Sequence, residues 1–430
     1  MLVMAMRPGP TTWFTGTEGY AAGLDRDLAD LFAAELGLGL KVITVADSTQ
    51  LIAATTSGEA SIGAGGLFQP AGSAFTGEAA PLLYTAGYYA VEPVLVYNTE
   101  GVRPESWDDL AGEIVGIVAG TGLEVLLDSV RSAHPDVRWR AVDPPAAQGL
   151  VEQVSEGSLG YAVVGSNEAA AARNVFLNVE TAFAVGPKLD LVWIVSPTQA
   201  PLRDRANAFF DRLRKNGTLQ RLIDRYFGYA QRVERIDASA FQERIRTVLP
   251  AYVALFHQAQ QQSGIEWRLV AAIAYQESHW NPQATSATNV RGMMMLTEDT
   301  ARRLRVADRL DPRQSIVAGA RYLANLKASL PQRITEPDRT WIALAAFNIG
   351  IGHLEDARVL AARQKLNPDS WSDLKKTLPL LAQTDLADHT KYGAARGGQA
   401  VVFVETVRAY YDVLLRLEKP YFGAQLQATQ

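Results

Sequence analysis

The hydrophobic pattern of this chain changes once, between residues 230 and 245, and that change constrains the fold more than any other feature. From residue 1 to about 230, short β-rich runs alternate with helical patterns. Such alternation predicts an α/β fold with a largely parallel sheet. From about residue 245 onward the pattern is helical almost throughout, with Gly and Pro as punctuation. We therefore predict two domains, an α/β domain followed by an all-α domain.

Individual elements can be placed within the first part. A helix is predicted over DRDLADLFAAELG, where Leu28, Leu31, Phe32 and Leu36 share one face. The polar stretch at 231–245 reads as a linker between the two domains. The predicted strands are LVMAM (2–6), LKVITV (40–45), PVLVYN (93–98), IVGIVAG (114–120), LGYAVVG (159–165) and LDLVWIVS (189–196).

Composition excludes several classes of protein. The chain has 430 residues, a net charge of -5 and no run of lysines and arginines, which argues against a nucleic-acid partner. Cysteine is absent, so disulfides and thiolate metal sites are excluded, and the five histidines show no HExxH spacing. We expect no metal and no cofactor. No apolar stretch reaches the roughly 18 to 20 residues that span a bilayer, and the first residues read as a strand rather than a signal peptide.

One glutamate stands where an apolar side chain is expected. Ile265, Leu269, Ile273 and Glu277 form a single i, i+4 line on a predicted helix that Asn281-Pro282 ends. A carboxylate at the edge of an apolar face loses solvation, which raises its pKa and lets it act as a general acid near neutral pH. The alternative is a helix-terminal glutamate that reaches water or a basic partner.

Motifs that follow this glutamate carry a resemblance to a known family. The region resembles the lytic transglycosylases of the soluble-transglycosylase family, which share a goose-type-lysozyme fold. The resemblance implies that residues 246–430 form the catalytic domain and hold every catalytic candidate. The matching residues are Glu277-Ser278, Ser286, the segment Gly292 to Met295, the AFNIG motif with Ala346, Phe347, Asn348 and Gly350, and Tyr410 on a final helix.

Two positions depart from the family motifs. Met295 stands where the family has glutamine, and Phe347 stands where it has tyrosine. Neither change touches the acid, so we expect altered substrate contacts and retained activity. Met293 is expected in the core, although all three methionines could be core filling. The expected substrate-binding residues are Ser286, Met294, Met295, Phe347, Asn348 and Tyr410.

The resemblance implies a peptidoglycan lytic exotransglycosylase. Glu277 would protonate the bond between N-acetylmuramic acid and N-acetylglucosamine, then take a proton from the muramic C6 hydroxyl, giving a 1,6-anhydro end. Ser286 and Asn348 would orient the acetamido group and the ring. Glu298 and Asp299, next to Thr297 at the start of a helix, are interpreted as capping residues. A hydrolytic muramidase and a non-catalytic peptidoglycan-binding receptor remain as alternatives.

The α/β half resembles the family 3 periplasmic solute-binding proteins, whose two lobes close on a ligand. Lobe one is expected at 1–96 plus 183–230, and lobe two at 97–182. GIVAGTG lacks the Gly-Lys-Ser/Thr of a phosphate loop, and no arginine follows SIGAGGLFQP to hold an amino-acid carboxylate. We expect either a binding site for a muropeptide or stem peptide or a purely structural domain. The expected ligand-binding residues are Gly65, Gly66, Thr121 and Ser166.

Location and partners follow from these resemblances alone. They imply a periplasmic protein of a Gram-negative bacterium, peripheral on the inner face of the outer membrane. The expected partners are peptidoglycan glycan strands, and a ligand-sensing amino-terminal domain would regulate their cleavage.

Overall fold

The chain forms two compact units, Met1–Phe227 and Gly228–Gln430. The computed structural model describes residues 1–9, 12–15, 21–69, 82–142, 147–173, 175–227, 238–286, 288–382 and 391–422. The first unit is α/β and the second is helical, so the predicted fold classes and their order along the chain are confirmed. In these ranges no helix combines the length and apolar character needed to cross a membrane.

The first unit is built on two sheets and one short hairpin. Its strands are, in chain order, β1 (Leu2–Met6), β2 (Phe14–Thr15), β3 (Ala21–Ala22), β4 (Leu40–Thr44), β5 (Ile62–Phe68), β6 (Leu83–Tyr84), β7 (Tyr89–Val91), β8 (Pro93–Asn98), β9 (Ile114–Val118), β10 (Arg138–Val142), β11 (Tyr161–Gly165), β12 (Val179–Ala184) and β13 (Leu189–Val195).

Each sheet forms the centre of one lobe. The first has the order β4-β1-β5-β13-β6, with β7 also paired to β13, and the second has the order β10-β9-β11-β8-β12. In the first sheet, β1 runs parallel to β4 and β5, whereas β13 is antiparallel to β5. The chain enters the second sheet at β8 and leaves it after β12. Because β8 begins at Pro93, residues 93–96 belong to lobe two, which corrects the expected boundary at 96/97.

All six predicted strands form, but the pattern missed the central strand β5. Its sequence IGAGGLF carries three glycines, which usually weaken a strand. The fold needs them, because a Cβ atom on Gly63 would lie within 2.6 to 2.8 Å of side-chain atoms of Thr55, Leu51 and Ile194. The helix that carries Leu51 and Thr55 therefore packs directly onto the strand.

Helices cover the sheets of the first unit. In the first helix Leu28 and Phe32 are fully buried, but Leu31 is 40% exposed, so its predicted place on the buried face is wrong. It lies at the edge of the apolar stripe, where solvent begins. These helices are α1 (Leu24–Glu35), α2 (Ser48–Thr56), α3 (Leu123–Ala133), α4 (Ala147–Ser155), α5 (Ser166–Arg173), α6 (Ala200–Lys215) and α7 (Thr218–Phe227), with a 3-10 helix at Trp107–Leu110.

The second unit is a helical bundle around one apolar core. Its helices are α8 (Ala238–Thr247), α9 (Val253–Ser263), α10 (Trp267–Ser278), α11 (Glu298–Arg303), α12 (Pro312–Ser329), α13 (Asp338–Ile349), α14 (Ile351–Arg363), α15 (Trp371–Thr377) and α16 (Gly397–Leu417), with 3-10 helices at Leu249–Ala251 and Leu378–Ala382.

Helix α8 corrects the expected linker at 231–245. Phe241 is 0% exposed and Ile245 is 6% exposed, and both belong to the core of the second unit. The polar letters around them are the solvent face of an amphipathic helix. Residues 231–237, the remainder of that stretch, lie outside the described residues.

Candidate active site

Helix α10 carries Glu277 from the core to the surface of the second unit. Every residue from Trp267 to Tyr275 is buried, because α10 packs against α9, α12 and α16. Leu269 and Ile273 are buried as the i, i+4 line predicts. Glu277 is the next member of that line and the first that is partly exposed. The helix thus places one carboxyl at the edge of an apolar interior.

The carboxyl of Glu277 has an unusual electrostatic setting. Burial alone raises the pKa of Glu277 to about 8. Within the described residues, the carboxyl has no hydrogen-bond or ion-pair partner that would stabilise its charged form. Although the residue retains some exposure, the carboxyl is enclosed closely enough to be desolvated. It is therefore protonated at neutral pH, which favours a general acid over a solvated helix-end glutamate.

Ser278 ties the end of α10 to the methionine segment. Its Oγ donates to the carbonyl oxygen of Met293 at 2.8 Å and lies 3.1 Å from that of Ala274. Met293 is 0% exposed, as predicted for a core residue. The serine after the acid therefore fixes the position of the second motif relative to the first.

The next two methionines have different surroundings. Met294 is 1% exposed and packs against Gly319, where a Cβ would lie 2.5 Å from its Cε. Its backbone N–H donates to the buried Ser315 hydroxyl at 3.1 Å. The expectation that Met294 lines the groove is therefore wrong, because close packing on α12 leaves it no free surface. Met295 is partly exposed with a left-handed φ of 44° and remains the candidate for a substrate contact.

Gly292 sets the tight turn that precedes these methionines. Its φ is 82°, and a side chain there would overlap the carbonyl oxygen of Arg309. Arg309 in turn donates to the carbonyl oxygens of Asn289 at 2.7 Å and Leu296 at 3.0 Å. Sequence reasoning missed Arg309 and Ser315, because carbonyl and N–H partners distant in sequence leave no periodic signal.

Ser286 belongs to the loop between α10 and the methionine turn. Its Oγ accepts from the backbone N–H of Thr288 at 3.2 Å and of Val290 at 3.3 Å, and it lies 3.0 Å from the Thr288 hydroxyl. These bonds shape the loop. Orientation of a sugar by Ser286 remains an expectation.

The third motif ends helix α13. Phe347 is half-buried, with its ring 5.3 Å from Tyr322 and parallel to Phe403 at 6.4 Å between centroids. Asn348 is exposed, and its amide forms no hydrogen bond with any described residue. Gly350, with a φ of 87°, separates α13 from α14. The amide of Asn348 is thus available to a ligand.

Tyr410 lies deeper than a substrate-contacting residue should. It is 7% exposed, and its ring centroid lies 4.5 Å from Phe241 and 4.8 Å from Tyr275. The expected sugar contact thus has almost no ring surface to use, because α16 turns Tyr410 toward α8 and α10. Its observed contacts support the catalytic helix.

The remaining acids and histidine near the motifs occupy surface positions. Glu298 and Asp299 lie in the first turn of α11, so the predicted helix start is confirmed. The cap itself is Thr297, whose hydroxyl accepts from the Thr300 N–H, and the two acids are therefore not the capping residues. His279 is an exposed residue at the end of α10.

The cleft between the two lobes of the first unit brings the expected ligand residues together only in part. Thr121 accepts the backbone N–H of Phe68 at 2.8 Å, so the loop after β9 touches the end of β5. Gly65 and Gly66 lie in the same strand β5, and Gly66 has a φ of 72°. Ser166 begins α5 and pairs with the backbone of Glu92 at the lobe crossing.

Sequence reasoning also missed buried charged residues in the first unit, near the expected ligand residues. Arg7, at the end of β1, is 3% exposed and donates to the carbonyl oxygen of Gly65 at 2.9 Å. Burial raises the pKa of Glu168 on α5, and the charge of Arg7 opposes that shift. Asp25 accepts from Tyr88 at 2.8 Å and Trp193 at 2.9 Å, and burial raises its pKa to about 6. Arg7 lies beside β5 because β1 and β5 are neighbours in the sheet. The sequence analysis looked for an arginine only in the segment that follows β5, and therefore missed it.

Comparison with known proteins agrees with this architecture. The family model for bacterial extracellular solute-binding proteins, family 3, matches residues 2–229. The model for the transglycosylase SLT domain matches residues 254–369. Fold and site together define a solute-binding domain followed by a transglycosylase domain.

Curated relatives match almost the whole chain. A membrane-bound lytic murein transglycosylase F of Nitrosospira multiformis is 42% identical over 98% of this chain and 87% of its own length. The protein of the same name from Methylobacillus flagellatus is 42% identical over 97% of this chain and 88% of its own. The chain belongs to the membrane-bound lytic murein transglycosylase F family. It is a peptidoglycan lytic transglycosylase, a lyase, with a family 3 solute-binding domain at its amino terminus.

Proposed function

We propose that the second unit cleaves the β-1,4 bond between N-acetylmuramic acid and N-acetylglucosamine without water, leaving 1,6-anhydromuramic ends. The observation that carries this proposal is the raised pKa of Glu277. Burial raises it to about 8, so the carboxyl is protonated at neutral pH. A protonated carboxyl at neutral pH is what a general acid requires.

The reaction needs only this one carboxyl. Glu277 donates its proton to the glycosidic oxygen, and the bond from that oxygen to the muramic anomeric carbon breaks. The substrate's acetamido group stabilises the positive charge at that carbon. The Glu277 carboxylate then removes the proton of the C6 hydroxyl, whose oxygen bonds to the anomeric carbon. Glu277 ends protonated again, so the cycle closes and no water is consumed.

The chain's other residues would bind and orient the sugar. Asn348 offers an exposed amide to the acetamido group. Ser286 shapes the adjacent loop, and the partly exposed Met295 and Phe347 offer apolar contacts to the pyranose rings.

No second described carboxylate affects the pKa of Glu277, and this favours the proposed reaction over a hydrolytic muramidase. Glycosidases that use water normally place two carboxyl groups about 5 to 9.5 Å apart. A charged carboxylate that close would itself raise the pKa of Glu277. Burial is the cause of its shift, and no described carboxylate contributes.

Replacement of Glu277 and product analysis test this function. Glu277→Gln should lower the rate of murein cleavage by roughly 10²- to 10⁴-fold, which is the typical contribution of general acid–base catalysis. The fold and glycan binding should remain. Mass spectrometry of the parent's digest should show anhydro ends. Reducing ends would identify a muramidase, and intact murein a receptor. Activity of Glu277→Gln within about tenfold of the parent would exclude the acid role.

We further propose that the first unit senses a peptidoglycan fragment, a muropeptide or its stem peptide. The charged cleft residues Arg7 and Glu168 suit a peptide with both carboxylate and amino groups. A purely structural domain would have little reason to keep an arginine 3% exposed beside a strand.

The relatives' name supports a location in the cell envelope. We propose a periplasmic protein held peripherally on the inner face of the outer membrane of a Gram-negative bacterium. Fractionation of cells should find it with outer membranes and release it without detergent at high salt or high pH. Recovery in the cytoplasmic fraction would contradict this location.

A further inference from the structure

The chain makes a strained corner directly after Glu277-Ser278. His279 and Trp280 both have left-handed backbones, with φ of 51° and 57°. A left-handed conformation is unfavourable for a residue with a side chain, so two in succession persist only where the surroundings hold them. Something must therefore fix this corner.

Arg244 on α8 holds the corner from outside the catalytic helix. Its Nε and Nη2 donate to the carbonyl oxygen of His279 at 3.0 and 2.7 Å. The Trp280 indole N–H donates back to the carbonyl oxygen of Ala271 at 2.8 Å. Arg244 forms no ion pair with a described carboxylate, and among the described residues its guanidinium donates only to the carbonyl oxygen of His279.

The rest of α8 packs on the same end of α10. The ring centroid of Phe241 lies 4.4 Å from that of Tyr275 and 5.6 Å from that of Trp280. Tyr275 precedes Glu277 in the chain and Trp280 follows it. Helix α8 spans Ala238–Thr247 and thus lies before the transglycosylase match at 254–369. The end of the catalytic helix is therefore built by an element outside the matched region.

We propose that Arg244 is a positioning residue for the reaction, which fixes the carboxyl of Glu277 by clamping the left-handed corner that ends α10. This inference rests on the proposed role of Glu277 as the acid. Arg244 acts through geometry, since burial alone sets the pKa of Glu277 and no nearby cation contributes. A displaced helix end would both misplace the proton donor and admit water to it. Misplacement of a catalytic group by about 1 Å can cost on the order of 100-fold in rate.

The variant Arg244→Met tests the proposal, because it keeps the aliphatic stem and removes the donors. We expect kcat on soluble glycan strands to fall about 10- to 100-fold and KM to stay within about twofold. The alkaline limb of the pH–rate profile should move to lower pH, because water around Glu277 lowers its pKa. Arg244→Lys should restore part of the rate, since lysine supplies one donor without the fork.

A matched control lies on the same helix. Arg246 is exposed and, among the described residues, pairs only with Glu243, so Arg246→Met should leave rate and pH profile unchanged. If Arg244→Met does not fold, Arg244→Gln takes its place. Unchanged kcat and an unmoved alkaline limb, with or without a lower Tm, would reduce Arg244 to a structural residue and overturn the proposal. An active Glu277→Gln would instead overturn the proposed acid.

Discussion

At the scale of single residues, the chemistry depends on one desolvated carboxyl. Burial of this carboxyl at the end of the apolar line raises the pKa of Glu277 to about 8. The same desolvation that prepares the acid also makes its charged form costly to the fold. Activity and stability should therefore both follow its titration.

The first prediction concerns the pH dependence of the rate. A general acid works only while protonated, so kcat/KM should be flat at neutral pH and fall above an apparent pKa of about 8. Rates of soluble product release between pH 5 and 10 would show this limb. A limb near the ordinary glutamate value would contradict the desolvated setting.

The second prediction concerns stability. The folded-state pKa of Glu277 is raised, so between about 4.5 and about 8 the native state holds a proton that the unfolded state has lost. Stability from this residue therefore decreases as pH rises through that window. Glu277→Gln cannot ionise, so its Tm should match the parent near pH 4.5 and exceed it increasingly up to pH 8. A constant difference in Tm across that window would refute the assignment.

At the scale of elements, helix α8 determines where the catalytic domain begins. The catalytic domain expected from the sequence, residues 246–430, leaves out almost all of this helix. A chain that starts at 246 lacks Phe241 and Arg244, and loss of one fully buried Phe side chain typically costs about 3 to 5 kcal/mol.

The third prediction compares two fragments. Residues 228–430 should fold and cleave murein at the parent's rate without ligand, whereas residues 246–430 should be destabilised and at least about tenfold slower. Thermal unfolding and murein digestion measure both. Equal stability and rate in the two fragments would show that α8 is dispensable.

At the scale of the whole molecule, the question is whether the cleft of the first unit regulates the second. A ligand can shift activity only if it binds one conformational state more tightly than another. In the proposed sensing role, Arg7, which donates to Gly65 and interacts with the charge of Glu168, would bind a ligand carboxylate.

The fourth prediction tests sensing and coupling together. A stem peptide should bind the full chain in calorimetry and raise its turnover, but leave the 228–430 fragment unchanged. Arg7→Met should weaken binding by at least about tenfold, the typical loss of a charge-assisted bond, whereas Arg205→Met on the exposed face of α6 should not. Binding without a change in turnover would end the regulatory proposal, and no binding would favour a structural domain.

The sequence by itself determined the features that depend on local periodicity and motif order. Six strands, the division between α/β and helical units, and the line that places Glu277 at an apolar edge all follow from spacing along the chain. Local chemistry dictates them, because the period of apolar residues decides which face a helix or strand buries.

Only the tertiary structure decided which residues from distant segments meet. The glycines of β5 concealed a central strand, because the close approach of α2 outweighs their weak strand preference. Met294 and Met295 are adjacent residues of the same type, yet Met294 is buried against Gly319 whereas Met295 stays partly exposed. Arg7 and Arg244 bind carbonyl oxygens 58 and 35 residues away. Such contacts depend on three-dimensional packing, which no periodicity in the sequence encodes.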